Sequence, residues 1–564
     1  MAAPGIAFIL LALPFVTQPI DTWEWLNLAA GGQILVTGVP SATYPVAAES
    51  AGALTAVSTA PPLLIHPPSS AYAIALFQRL LGVAEWQARV PGLLAVVATA
   101  YLLVIAARRM TADGQEASAR AGLLATCLYL IHPATLQGAL YLGFSEGTFL
   151  PLSWILFVVT WVTIRRRPLL ARAALGGLCL ALALWAKITT TLALPMCVAM
   201  VAVAIEGPTA GVALATGVTG LGVVLFAGSW WAYVAYLSTL VALPAGRLWG
   251  EPLRYLVSEA QAWPSPAEVV INGLRVFLFL GPVTVVAAGL AVARRVRECI
   301  DEGRARREDL VPLLTLAILL GYLVLPGGTG SFPKYHLVIL PFLALLAARE
   351  LGRGPSLGLR HMAILFGAGV AYHVWVVGDL LKLLNHDLRQ AEMLGRPGPV
   401  GLRIGVAAIL YAVLPLAIRP LARSWRAAFL VAALASQLAL ILLQAHGGYF
   451  AKHSYGTPVA DLTRAVELVR AETSPGSAIL ALPEIGYQTQ HRIVRGMTRL
   501  TWNDPPRLAE IISVERPSAV VYGLPTHTIG QMRALLSDPV ITASLQLGYR
   551  RIDVGEFTVW LRNF

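Results

Sequence analysis

The stretch PIDTWEWLNLAAGG, residues 19–32, ends an apolar run that begins near Pro4 and closes it with Asp21, Glu24 and two tryptophans. One polar residue is enough to stop a membrane helix. Two carboxylates on a stretch spaced like an amphipathic helix suggest more than a stop. Outward from here the same alternation recurs, with apolar runs of about 17–25 residues, the length that crosses a bilayer, separated by polar loops. Of the 564 residues, 57% are hydrophobic and only 13% charged, against roughly a quarter charged in ordinary soluble domains. This predicts a polytopic α-helical membrane protein.

The net charge of +12 is not a nucleic-acid signature. Its arginines and lysines cluster in short loops between apolar runs, the pattern of cytoplasmic loops. "AARRM" places Arg108 and Arg109 inside, "IRRRP" does so for Arg165–Arg167, and "ARRVRECIDEGRARRED" (293–309) is the strongest such signal. Counting from these gives about thirteen spans, the N-terminus inside and the C-terminus outside, in a multi-pass protein of the plasma (inner) membrane. The first apolar stretch has no basic segment before it and no A-x-A site after it, so it reads as a retained span. Between it and the second span lies a large first extracytoplasmic loop, roughly residues 21–88. Cys127, Cys179, Cys197 and Cys299 lie in or beside apolar runs without metal-like spacing and read as packing residues.

From about residue 446 the composition changes. "AILALPE", "PSAVVYG" and "FTVWLRN" are short β-like runs alternating with helical patterns such as "PVADLTRAVELVRAE". The chain therefore divides into a membrane part, residues 1–445, and a small extracytoplasmic α/β domain, residues 446–564. No fixed-period repeat and no second copy of the first half is visible.

On this topology Asp21, Glu24, His66, Arg89, Glu146, Lys187, Lys334 and His336 all fall on the outer side, near the ends of spans. Ionisable groups there have partners or a function, because burial in the membrane costs about 2.5–3.5 kcal/mol on insertion scales. Carboxylates and cations facing one outer cavity suit a reaction on an acidic, lipid-linked substrate; interfacial anchoring and snorkelling are the plainer alternative.

"DTWEWLNLAAGGQILVTGVP" resembles the first-loop motif of the GT-C membrane glycosyltransferases, in particular the protein O-mannosyltransferase and lipid A aminoarabinose transferase group. Asp21, Trp25, Ala29, Gly38 and Pro40 carry the match. "LLIHPPSSAYAIALFQRLLGVAEWQARVPG" is similar to the family's H/K-P-P stretch and R-x-P entry, through His66, Pro67, Pro68, Arg89 and Pro91. "HPATLQGALYLGFSEG" resembles the second outer loop, with Glu146 as its acid. "LALWAKITTT" is similar to a T-K-G turn, with Lys187 matching but Ala and Ile in place of Thr and Gly. "FPKYHLVILPFLALLAA" adds the later basic-Tyr segment. The family often pairs two acids where this chain has Asp21-Thr22.

The resemblance implies the GT-C fold and transfer of a sugar from a polyprenyl-phosphate donor to a glycan, lipid or protein hydroxyl on the outer face, with inversion. Asp21 would be the general base, and His66, Lys187, Arg89 and Lys334 would hold the donor phosphate. Glu24 and Glu146 are candidates for the acceptor or for a divalent metal ion, whose involvement the sequence leaves open. Membrane lipid is the implied surrounding and nucleic acid is not a partner. The alternative is a transporter or flippase of lipid-linked sugars, which would place polar residues deep within spans and break helices in matching halves.

Overall fold

The structure, a computed structural model, describes residues 2–17, 20, 22–41, 62–64, 66–110, 115–142, 145–164, 166–241, 243–253, 266–324, 333–352, 359–377, 398–422, 424–446, 449–450, 457–481, 483–494, 505–522, 538–555 and 557–563. Its first part is helical: α1 (Ala2–Ala12), α2 (Thr22–Thr37), α3 (Ser69–Leu81), α4 (Glu85–Met110), α5 (Gln115–Leu130) and α6 (Pro133–Leu140). Then come α7 (Phe149–Thr163), α8 (Leu169–Ala186), α9 (Ile188–Thr191), α10 (Ala193–Glu206), α11 (Pro208–Val241) and α12 (Ala245–Trp249). Further helices occupy Pro266–Phe279, Pro282–Glu302, Leu310–Val324, Leu340–Leu351, Leu359–Val377, Gly398–Ala422 and Trp425–His446. Among the described residues seven helices are long and apolar enough to cross a membrane, or eight if the bent pair Ser118–Leu130 and Pro133–Leu140 is one span.

Two expected elements differ. The first apolar run is helical only through the 3₁₀ turn Leu13–Phe15, which has Pro14 near its start. Proline donates no N–H and crowds the preceding turn, so the α-helix ends at Ala12 instead of running to Ile20. The apolar stretch from Ser118, one of the expected straight spans, bends by 63° between Leu130 and Pro133. His132 sits in the break and accepts the Ala134 N–H at its Nδ1, capping α6, where Pro133 takes the first position.

Glycines set the closest crossings. A Cβ on Gly177 of α8 would meet the backbone nitrogen of Gly222 on α11 at 3.0 Å, so these two helices touch through small residues. Gly138 of α6 and Gly147 stand back to back, and a Cβ on Gly147 would lie 2.5 Å from the Gly138 Cα. The 34-residue α11 is about 50 Å long at 1.5 Å per residue, well beyond a hydrocarbon core of about 30 Å. Near its end Trp230 and Tyr233 pack with Trp185 of α8, the ring centroids 5.4–5.6 Å apart.

Beyond the bundle, β1 (Tyr449–Phe450) and β2 (Thr457–Pro458) form an antiparallel pair. The strands β3 (Ala478–Ile479) and β4 (Arg492–Ile493) are parallel, and β5 (Ala519–Tyr522), β7 (Phe557–Arg562) and β6 (Tyr549–Val554) make an antiparallel sheet in that order. A parallel bridge from Leu480 to Val520 joins β3 to β5, so the strands run β4-β3-β5-β7-β6. Helices Val459–Glu472, Pro483–Thr489, Pro505–Glu515 and Pro539–Gly548 accompany them. Leu462, Val469, Ile479, Val520, Ile541 and Val559 belong to a core of their own, separate from the bundle's.

Candidate active site

The segments that carry the sequence motifs meet around two buried ion pairs. Arg89 lies one turn into α4, two residues before Pro91. Gly92 follows, and a Cβ there would collide with the Ala139 carbonyl oxygen, so this turn of α4 lies directly on α6. That approach brings the Arg89 Nε to the Leu140 carbonyl at 3.1 Å, while Nη1 donates to Val16 O and Nη2 faces Glu24 Oε1 at 3.4 Å. Glu24 Oε1 also accepts the Leu142 backbone N–H at 3.3 Å. Arg89 is 2% exposed and Glu24 1%. Helix α2 thus buries its acid against Arg89 of α4 and the Leu142 backbone just beyond α6.

The second pair joins Lys187 to Glu146. Lys187 stands in extended backbone between α8 and α9, and Glu146 in the 3₁₀ turn Ser145–Gly147. The Gly138–Gly147 contact lets that turn sit on α6. The ammonium bonds a Glu146 carboxylate oxygen and lies 4.7 Å from the centre of the Tyr335 ring, a cation–π distance. Both charged residues are buried. Tyr335 belongs to the 3₁₀ segment Pro333–Ile339, which also carries the buried His336.

Helix α3 ties the H-P-P stretch to this pair. Ser69 Oγ donates to the Trp185 carbonyl at 2.9 Å, two residues before Lys187, and Ser70 Oγ shares a 2.9 Å hydrogen bond with Ser145 Oγ, beside Glu146. His66 is half-buried just ahead of Pro67 and Pro68. A small cavity is lined by Ser70, Arg89, Tyr141 and Thr148; Arg89 of the first pair borders it directly, and Ser70 is hydrogen-bonded to Ser145, which precedes Glu146 of the second.

Of the expected site residues, the structure brings Glu24 to Arg89 and Glu146 to Lys187. Asp21 and the Lys334 side chain lie outside the described residues. The neighbours of Asp21 are described: Ile20 is buried and α2 begins at Thr22. Among the described residues no three His, Cys, Asp or Glu side chains gather as a metal-ligand set. The Ser69, Ser70 and Ser145 links escape sequence reasoning because serines carry no signal apart from their fold. Tyr335 stands in the basic-Tyr segment, but only the structure puts its ring on Lys187.

The α/β unit also reaches the first motif. Tyr487 packs on Trp25 with ring centroids 5.3 Å apart, and Gln488 Nε2 donates to the Ile20 carbonyl at 3.2 Å. Burial, with the Glu85 carboxylate nearby, pushes the Tyr487 hydroxyl up to about 12. Nothing in the spacing of residues 483–489 announces this contact, which spans more than four hundred residues of sequence.

A helical bundle that gathers the ends of its first loops around paired carboxylates and cations, with an α/β unit after it, is a fold already seen in solved structures. Over nearly its whole length the chain is similar to ArnT from Cupriavidus metallidurans. The crystal structure of ArnT bound to undecaprenyl phosphate matches with a TM-score of 0.58 and 16% identity, covering 98% of this chain and 97% of that one. ArnT in the apo state gives 0.56 and 16%, over 98% and 96%. No protein-family model matches the sequence and no curated protein matches it; the likeness is one of fold.

Proposed function

We propose that this protein is an inverting glycosyltransferase that moves a sugar from a polyprenyl-phosphate donor to a hydroxyl on a glycan, lipid or protein. The observation that carries the reading is the pair of buried carboxylate–cation contacts, Glu24–Arg89 and Glu146–Lys187, in the segments that bear the family's motifs. The likeness to ArnT, a protein seen with undecaprenyl phosphate, supports the same donor class here. In this reading the chain crosses the plasma (inner) membrane about thirteen times, with residues 1–445 catalytic and residues 446–564 an outer domain.

Asp21 takes the proton of the acceptor hydroxyl as its oxygen attacks the anomeric carbon. The bond from that carbon to the phosphate oxygen breaks, and the lipid phosphate leaves as an anion. A positioned base contributes about 10²–10⁴-fold, and fixed cations beside the leaving charge are often the larger effect. An ammonium has three N–H donors, so Lys187 can hold Glu146 and still meet a phosphate oxygen. His66 and Lys334 complete the phosphate contacts. The Arg89 guanidinium, engaged with Val16, Leu140 and Glu24, holds the site together from behind. Glu24 and Glu146, the two candidates for a divalent ion, are each held by a cation.

The test is turnover of a panel of synthetic undecaprenyl-phosphate sugars (pentosyl, aminopentosyl and hexosyl) with cell-envelope acceptors, following release of undecaprenyl phosphate by mass spectrometry. The expected result is turnover of at least one donor, falling about 10²-fold or more in Asp21→Asn with the protein still folded. Turnover at the normal rate in Asp21→Asn removes the base. No turnover of any donor, together with donor translocation in liposomes, favours the flippase.

A further inference from the structure

Helix Pro483–Thr489 is held rigidly by the α/β core and touches the membrane part where the first motif begins. It follows β3, whose neighbour Leu480 is bonded on both sides to β5: its N–H donates to the Ala519 carbonyl at 2.8 Å and its carbonyl accepts the Val521 N–H at 2.9 Å. Its far end is fastened three times. Arg470 donates to the Gln488 carbonyl, the His491 N–H donates to Gly486 O at 2.9 Å, and His491 Nε2 shares a 2.7 Å bond with Thr473 Oγ1. The Gln488 backbone is therefore fixed to helix Val459–Glu472, while its side-chain amide holds the Ile20 carbonyl. One residue earlier, Tyr487 stands against Trp25, in a small cluster with Ile20, Leu28, Ala29, Ile74, Ala88 and Leu142.

We propose that Tyr487 and Gln488 are positioning residues. They form a strut from the α/β unit that fixes the start of α2, and with it Asp21 on one side and Glu24 on the other. The catalytic part of this inference rests on the reading of Asp21 as the base; the strut itself does not. Ile20 lies between the 3₁₀ turn that ends at Phe15 and the first turn of α2, and its carbonyl is the atom that Gln488 holds. A reacting group misplaced by about 1 Å can lose about 10²-fold in rate, so a carbonyl anchor next to the base bears directly on turnover.

Two measurements test this. Hydrogen exchange by mass spectrometry on the full-length protein in detergent reads the strut without substrate. In Gln488→Ala, amides at the start of α2 are expected to exchange about five- to tenfold faster, the effect of losing one net hydrogen bond, with β5–β7 unchanged. Tyr487→Ala should act in the same direction and Tyr487→Phe, which keeps the ring, should not. Unchanged exchange at α2 in both Gln488→Ala and Tyr487→Ala overturns the strut. With the donor identified by the panel above, Gln488→Ala should lower kcat about tenfold while donor KM stays within about twofold. In an Asp21→Asn background it should cause no further loss, because it acts through Asp21. An equal loss in that background overturns the positioning role. If Asp21→Asn alone transfers sugar normally, the base reading fails separately, and the exchange result decides the strut.

Discussion

Replacing Lys187 with methionine separates what the second ion pair does for the fold from what it does for the reaction. Lys187, expected near the outer end of a span, is 4% exposed against a Glu146 that is 3% exposed. Removing one partner of such a pair strands the other charge in a low-dielectric site, which costs about 3–5 kcal/mol, whereas replacing both by apolar groups of similar size is close to neutral. Lys187→Met and Glu146→Leu should each lower the melting temperature clearly in detergent, and the double variant should recover most of the loss. That gives a coupling of at least about 2 kcal/mol, large for residues in contact. Turnover should not follow stability. In the role proposed for Lys187, the double variant still lacks a cation at the leaving phosphate, and the loss of one such contact costs about 3–4 kcal/mol, or about 10²–10³-fold. If the double variant regains both stability and rate, Lys187 serves the fold only. If neither single variant melts earlier, the ion pair is not buried and the site geometry is wrong.

Gly147→Ala should destabilise the protein by about 1–3 kcal/mol through overpacking, since the new methyl would meet the Gly138 backbone. It should also slow transfer by shifting the turn that carries Glu146; a variant with wild-type melting and rate would show that the two backbones are not in contact. Ser474, exposed on the α/β unit, marks its side of the membrane. A cysteine there should react with an impermeant thiol reagent added to intact cells, while one at Ala305 should not, and the reverse labelling would turn the site to the cytoplasm.

Much of the membrane part can be read from the sequence because its signals are local. Arginine clusters such as those at 108–109 and 294–307 stand at helix ends, and apolar runs become helices such as Leu169–Ala186 and Gly398–Ala422. The motif order also brings the right segments to one place. What cannot be read is pairing. The R-x-P motif sets Arg89 apart from Arg108 at the other end of the same helix, but nothing local says that Arg89 engages Val16, Leu140 and Glu24, which follows from a glycine contact with α6. The early stop of α1 depends on Pro14 within an otherwise uniform apolar run, where hydropathy outweighs a single residue in any sliding average. The bend at His132 is a second case, because its cap and the proline after it form one device inside a long apolar stretch.

The three attachments of Arg89 also impose an order on biogenesis. Val16 and Glu24 leave the ribosome before Arg89, but Leu140 and Leu142 follow about fifty residues later, after the whole of α4 and α5. A nascent chain paused between those points carries a guanidinium at the membrane with only part of its hydrogen-bonding complement, at a cost of about 1–3 kcal/mol for each unmet group. The N-terminal segments therefore cannot settle until α6 has been inserted.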